Sequence, residues 1–160
     1  MEKEKFIGDV NDWTTHREAL WFALESTNES ELPILELGCT DGSTPLLFEY
    51  ASDNDRTLVS YDNNQETASN YNANYIADWS TINFEDYSVV LVDHAPSEQR
   101  IIDIAKLADK ADYIVIHDSE PTEPASSIYQ LDSIWNLFTY RKDYSEHNTW
   151  TTIVSNKFEL

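Results

Sequence analysis

Acids and histidines stand at the ends of short apolar runs throughout this sequence. Asp62 follows Thr57-Leu58-Val59-Ser60-Tyr61, Asp93-His94 follows Ser88-Val89-Val90-Leu91-Val92, and His117-Asp118 follows Tyr113-Ile114-Val115-Ile116. Earlier, Ile34-Leu35-Glu36-Leu37 runs into Gly38-Cys39-Thr40-Asp41-Gly42-Ser43, which holds two of the chain's three glycines. Carboxylates accept charge-assisted hydrogen bonds from ligand hydroxyls. Histidine titrates near neutrality, so His94 and His117 are candidate general bases, with Asp118 able to orient His117 or bind a metal. Glycine admits positive φ and close approach to the main chain, so Gly38 and Gly42 point to a backbone that meets a ligand.

Each of these residues has a plainer alternative. The glycines could form a simple turn, Asp62 could cap a helix, and the histidines could be satisfied structural groups. Cys39 reads as a small packing residue rather than a nucleophile. Arg100 could pair with any of the acids or with an anionic substrate. His16-Arg17 and His147 read as surface residues. Trp13, Trp21 and Trp79 could line a pocket, although aromatic side chains more often fill cores.

The elements that must position these groups follow from periodicity. The pattern predicts a helix over 14–26 capped by Thr14, strands over 34–37, 57–61, 88–92 and 113–116, and a helix capped by Ser43 with Pro45 in its first turn. Further helices are expected over 65–74 and 98–110, and two late strands over 135–140 and 150–154 joined by a polar segment. Strands alternating with helices imply an α/β fold whose mostly parallel sheet is covered on both faces. Ligands of such sheets bind beyond the carboxyl ends of the strands, where the acids and histidines stand. No repeat or linker divides the chain, so 1–160 is expected to be one domain with its core over 30–155.

Composition narrows the partners. The net charge is −20, from 30 acidic and 10 basic residues, a field that repels nucleic acid and anionic membranes. One cysteine allows no internal disulfide, and no apolar leader or membrane-length run is visible, so a cytoplasmic protein is expected. A small-molecule partner is the remaining class, and homo-oligomerisation stays open.

The glycine loop lacks the Gly-Lys-Ser/Thr ending of a phosphate loop and the third glycine of a dinucleotide fingerprint. Glu36 and Asp41 beside it disfavour a pyrophosphate. As a whole, Glu36-Leu37-Gly38-Cys39-Thr40-Asp41-Gly42 resembles the first motif of the class I S-adenosylmethionine-dependent methyltransferases, with Thr40 in place of a middle glycine. Asp62, 26 positions after Glu36, matches that family's ribose-binding acid. Asp78-Trp79 matches its adenine-side segment, Asp93 its acid near the methyl donor, and the late strand pair its C-terminal antiparallel hairpin.

The resemblance implies a three-layer Rossmann-like methyltransferase fold with S-adenosyl-L-methionine as cofactor. It implies a donor site built from Glu36, Gly38, Asp41, Gly42, Ser43, Asp62, Asn63, Asp78, Trp79 and Asp93, with His94, His117 and Asp118 as catalytic candidates. Asp93-His94 and His117-Asp118 are similar, in part, to the metal-holding segments of the sugar and macrolide O-methyltransferases and their cephalosporin-hydroxylase-like relatives. A divalent metal is therefore left open. The expected activity is methyl transfer to a small-molecule acceptor, at oxygen. The alternatives are a binding protein of this fold without transferase activity, and a metal-dependent hydrolase or lyase using the His-Asp strand ends.

Overall fold

A computed structural model of the chain describes residues 1–160. Its sheet contains β1 (Ile34–Leu37), β2 (Leu58–Asp62), β3 (Asn74–Tyr75), β4 (Tyr87–Val92), β5 (Ala111–His117), β6 (Tyr140–Tyr144) and β7 (Thr151–Ser155). Their spatial order is β3-β2-β1-β4-β5-β7-β6. The first five strands are parallel, and β7 runs antiparallel to both β5 and β6. Strand order reverses between β1 and β4, so their carboxyl ends flank a crevice suited to a ligand.

Side-chain alternation divides the core into two layers. Leu35 and Leu37 of β1, Val90 and Val92 of β4, and Ile114 and Ile116 of β5 face one cluster, which α5 (Ser97–Leu107) covers with Ile104 and Leu107. Ile34, Val89, Leu91, Val115 and Ile153 face the other. That side is covered by Phe6 of α1 (Lys3–Ile7), Ala19, Leu20, Ala23 and Leu24 of α2 (His16–Ser26), and Leu47 and Tyr50 of α3 (Thr44–Asp53). Burial on both faces explains why β4 and β5 read as unbroken apolar runs. No helix is long and apolar enough to cross a membrane.

Several expectations are corrected by the structure. α2 starts at His16, and the Thr14 hydroxyl accepts from the Asn11 N–H at 2.9 Å instead of capping the helix. Ser43 holds the N-cap position of α3, yet its hydroxyl donates to Glu36 Oε1 at 2.7 Å rather than capping. α4 (Gln65–Asn70) is shorter than expected; Asn64 caps it, and the following residues form β3 against β2. The late segment departs most. Trp135–Leu137 is a 3-10 turn, and the strand is Tyr140–Tyr144, which shares only Tyr140 with the strand expected over 135–140 and otherwise lies in the polar segment expected to join the pair. At the sheet edge, β6 has one open side, so polar residues satisfy it and the apolar-strand signal fails. A short helix, α6 (Ala125–Tyr129), follows β5.

Candidate functional site

Gly38 closes β1 with φ +91, and a Cβ there would lie 2.5 Å from the Asp93 carbonyl oxygen and 2.8 Å from the His94 Cα. Glycine is needed at this position because the end of β4 packs against it. At Gly42 the demand is milder: a Cβ would stand 3.0 Å from the Trp13 carbonyl oxygen. Arg17 pins that turn through Nε, which donates to the Gly42 carbonyl at 2.9 Å.

Glu36 lies beneath this loop, fully buried. Ser43 and Thr44 hydroxyls donate to its Oε1 at 2.7 and 3.0 Å, and the Ser60 hydroxyl donates to Oε2 at 2.7 Å. Burial pushes its pKa up to about 7 despite these donors. Glu36 and Ser43, expected to contact a cofactor, therefore face each other and tie β1, α3 and β2 into one frame. Cys39 packs beside them, its thiol pKa pushed up to about 12 by burial and the neighbouring acids, as an inert thiol requires.

Asp62 is 8% exposed, and each oxygen receives one backbone N–H, from Cys39 at 2.9 Å and from Asn64 at 2.7 Å. A carboxylate oxygen accepts more than one bond, so the group retains capacity for a ligand beside exposed Asn63. Asp78 is exposed and accepts from the Ser80 N–H at 2.9 Å. Trp79 is buried; its indole donates to the Ala95 carbonyl at 2.7 Å and its ring lies 4.4 Å from that of His94.

A cleft of about 470 Å³ opens against the loop, lined by Trp13, Thr40, Asp41, Gly42, Asp93, His117 and Asp118. It joins the carboxyl ends of β1, β4 and β5. His117 Nδ1 stands 3.3 Å from Asp93 Oδ1 and 3.4 Å from Asp118 Oδ1. Its Nε2 is buried without a partner. Behind them Arg100 spans the strand ends: Nε donates to the His94 carbonyl at 2.7 Å, Nη1 to the His117 carbonyl at 3.0 Å and Asp118 Oδ2 at 3.3 Å, and Nη2 to Asp93 Oδ1 at 3.1 Å. Tyr129 covers this guanidinium, 4.5 Å from the ring centroid, and its hydroxyl donates to Asp118 Oδ2 at 2.9 Å.

The charges tune one another. Burial favours neutral Asp93, but the His117 hydrogen bond and the charges of His117 and Arg100 outweigh it and hold Asp93 below the usual carboxylate range. Burial likewise opposes charge on His117, yet Asp93 and Asp118 raise its pKa above the ordinary 6.5. Asp118 adopts φ +56, a left-handed conformation that aspartate tolerates better than most residues and that is concentrated at functional sites.

His94 stands apart from this cluster. It is 1% exposed, lies outside the cleft lining, and its Nε2 is 3.1 Å from Asp103 Oδ2 on α5. Adjacent residues of an extended chain point to opposite faces, so Asp93 facing the cleft sends His94 into the wall.

His16, read from sequence as a surface residue, is fully buried, with both ring nitrogens unpartnered and its ring 5.0 Å edge-on to His117. Burial, then the charge of His117, drives its pKa down to about 4. The overlooked signal was helical spacing, since His16 shares a face with the buried Ala19, Leu20, Ala23 and Leu24. Trp13 reaches the cleft while remaining 82% exposed, and Thr40 lines it too. A second depression of about 340 Å³, between Thr15 and Glu18 of the α2 start and the β6–β7 connection, contains exposed His147 but none of the strand-end groups.

No protein-family model matches the sequence, and no curated protein does. Solved structures do. The plantazolicin methyltransferase BpumL in complex with SAH superposes with a TM-score of 0.57 at 14% identity, covering 91% of this chain and 83% of that one. A methyltransferase from Pyrococcus furiosus gives 0.54 at 11%, covering 88% and 83%. The delta-N METTL16 MTase domain gives 0.54 at 9%, covering 89% and 82%. At these identities the likeness establishes a shared fold. The chain has the Rossmann-like α/β architecture of these methyltransferases, with its polar cluster at the carboxyl edge of the sheet.

Proposed function

We propose that this protein is an S-adenosylmethionine-dependent methyltransferase acting on a small-molecule acceptor, at an oxygen atom. The observation that carries the proposal is the cleft in which the glycine loop meets Asp93, His117 and Asp118, set at the strand-order reversal of a methyltransferase-type sheet. The residues fit such a donor: the loop opens onto the cleft at Gly42, and Asp62 has unused acceptor capacity on a buried, immobilised carboxylate.

Gly38 and Gly42 would shape the floor under the donor, Asp62 and Asn63 would hold its ribose, and Asp78 with the wall at Trp79 would border its adenine. Bound there, the donor would supply an electrophilic methyl group on a sulfonium. The protein's own work is to align an acceptor hydroxyl and remove its proton. Asp118 is the more exposed of the two cluster acids, its side chain 24% exposed against 11% for Asp93, so it meets the acceptor first. With its proton on Nδ1 facing the two carboxylates, neutral His117 keeps Nε2 free as the base. Nε2 is buried, and the His16 ring packs edge-on to His117 at 5.0 Å, so an acceptor must relieve that burial to reach the base.

The test is incubation of the purified protein with the donor and a panel of hydroxylated small molecules, read by mass spectrometry. Methylated product is expected, with kcat reduced about 100-fold or more in His117→Asn. Because neighbouring acids raise the His117 pKa, the acid limb of the rate profile should lie above pH 6.5. Donor binding without product from any acceptor would instead mark a binding protein, and product formation unaffected by His117→Asn would remove the base assignment.

A further inference from the structure

Asp93, His117 and Asp118 place three ligand-type atoms within 4.8 Å of one another, spacing that a divalent cation could use. The surroundings decide otherwise. All three groups already face the buried Arg100 or each other: Asp93 shares Oδ1 between Arg100 and His117, and Asp118 divides its oxygens among Arg100, Tyr129 and His117. Arg100 is 5% exposed and bonded at both strand ends, so it cannot swing away without abandoning the carbonyls of His94 and His117. A divalent ion bound between these carboxylates would sit beside a fixed guanidinium in a poorly solvated pocket, where like charges repel strongly. The residues present do not fit a metal.

We propose that Arg100 is the resident cation of this site: a positioning residue that takes the place of a metal, bridges Asp93 and Asp118, and locks the carboxyl ends of β4 and β5 in register for the acceptor. Guanidinium suits the task because its rigid fork serves two carboxylates and two carbonyls at once, which an ammonium cannot do. Tyr129 completes it by covering the cation with its ring and anchoring Asp118 with its hydroxyl. The proposal rests on the same cleft as the methyltransferase reading, yet it is tested by metal binding alone and survives or fails independently of donor binding.

The experiment is Mn²⁺ titration at about 0.15 M KCl, which screens the acidic surface, with free ion counted by electron paramagnetic resonance. Four proteins are compared: wild type, Asp93→Asn, Arg100→Met, and the Arg100→Met/Asp93→Asn double variant. Wild type and Asp93→Asn should show the same weak surface binding. Arg100→Met should gain one site at least tenfold tighter, which the double variant loses. A wild-type site that Asp93→Asn abolishes would overturn the proposal, as would an Arg100→Met protein that gains nothing. If Arg100→Met does not fold, the wild-type and Asp93→Asn pair still decides whether the native cluster takes a metal.

Discussion

Gly38 and His117 show how single residues carry this site. At Gly38 an added methyl meets backbone, which cannot rotate aside as a side chain can, and φ +91 is itself unfavourable for alanine. Gly38→Ala should lower Tm by at least about 5 °C, more than about 1 kcal/mol for a chain of this size, whereas Gly42→Ala should cost less. Calorimetric scans of the two variants check the order. The His117–Asp93 pair has a predictable pH signature. A histidine whose folded pKa is raised contributes stability that is complete below the unfolded value of 6.5 and fades as pH rises through the folded value. The stability gap between wild type and His117→Asn should therefore be largest near pH 5–6 and shrink above pH 6.5; a gap that widens with pH would contradict the pairing. At this scale the sequence displayed which side chains stand at strand ends, but not that Asp93 and His94 diverge. Nor did it show that Glu36 turns inward to three hydroxyls. Both depend on which face of the sheet a residue takes, and that is settled by packing.

Among the elements, the central strands were legible because burial on both faces demands continuous β-branched and apolar runs, as in Val89-Val90-Leu91-Val92. The edges were not: β3 is two exposed residues, and β6 is polar. The helix expected over 14–26 forms as α2, but reading His16 at its start as a surface residue failed, because that residue packs under Gly42. The unpartnered His16 should make the fold acid-labile. Its folded pKa of about 4 lies below the ordinary 6.5, so the unfolded chain binds a proton in that window that the folded chain refuses, and stability falls as pH falls. The loss amounts to about 3 kcal/mol across the window. His16→Leu should flatten the slope between pH 6.5 and 4 in denaturant titrations; an unchanged slope would show that His16 is not its source. Trp13 offers the opposite case. At 82% exposure its removal should leave Tm within about 2 °C of wild type while weakening ligand binding in the cleft, and Trp13→Ala with unaltered affinity would exclude it from the site.

For the molecule as a whole, a net charge of −20 sets two expectations. Self-repulsion of the acidic surface opposes folding, so raising salt from roughly 0.05 M to roughly 1 M, where the Debye length falls to about 3 Å, should raise Tm by several degrees. A Tm indifferent to salt would mean that the charges are too dispersed to matter. The second concerns recognition: the negative field disfavours polyanionic ligands, in keeping with the small-molecule acceptor proposed above. Sheet order joins these scales, because the arrangement β3-β2-β1-β4-β5-β7-β6 brings the loop after β1 beside Asp93, His117 and Asp118 at the carboxyl ends of β4 and β5. Alternation of strands and helices made the sheet class legible in the sequence, while the order of its strands belongs to three-dimensional packing. Whether the crevice holds an S-adenosyl donor, as proposed, is decided by calorimetric titration of the purified protein with S-adenosylhomocysteine. Saturable one-to-one binding is expected, weakened at least tenfold in Asp62→Ala; neither heat nor thermal shift from the wild-type protein with this ligand would rule the donor site out.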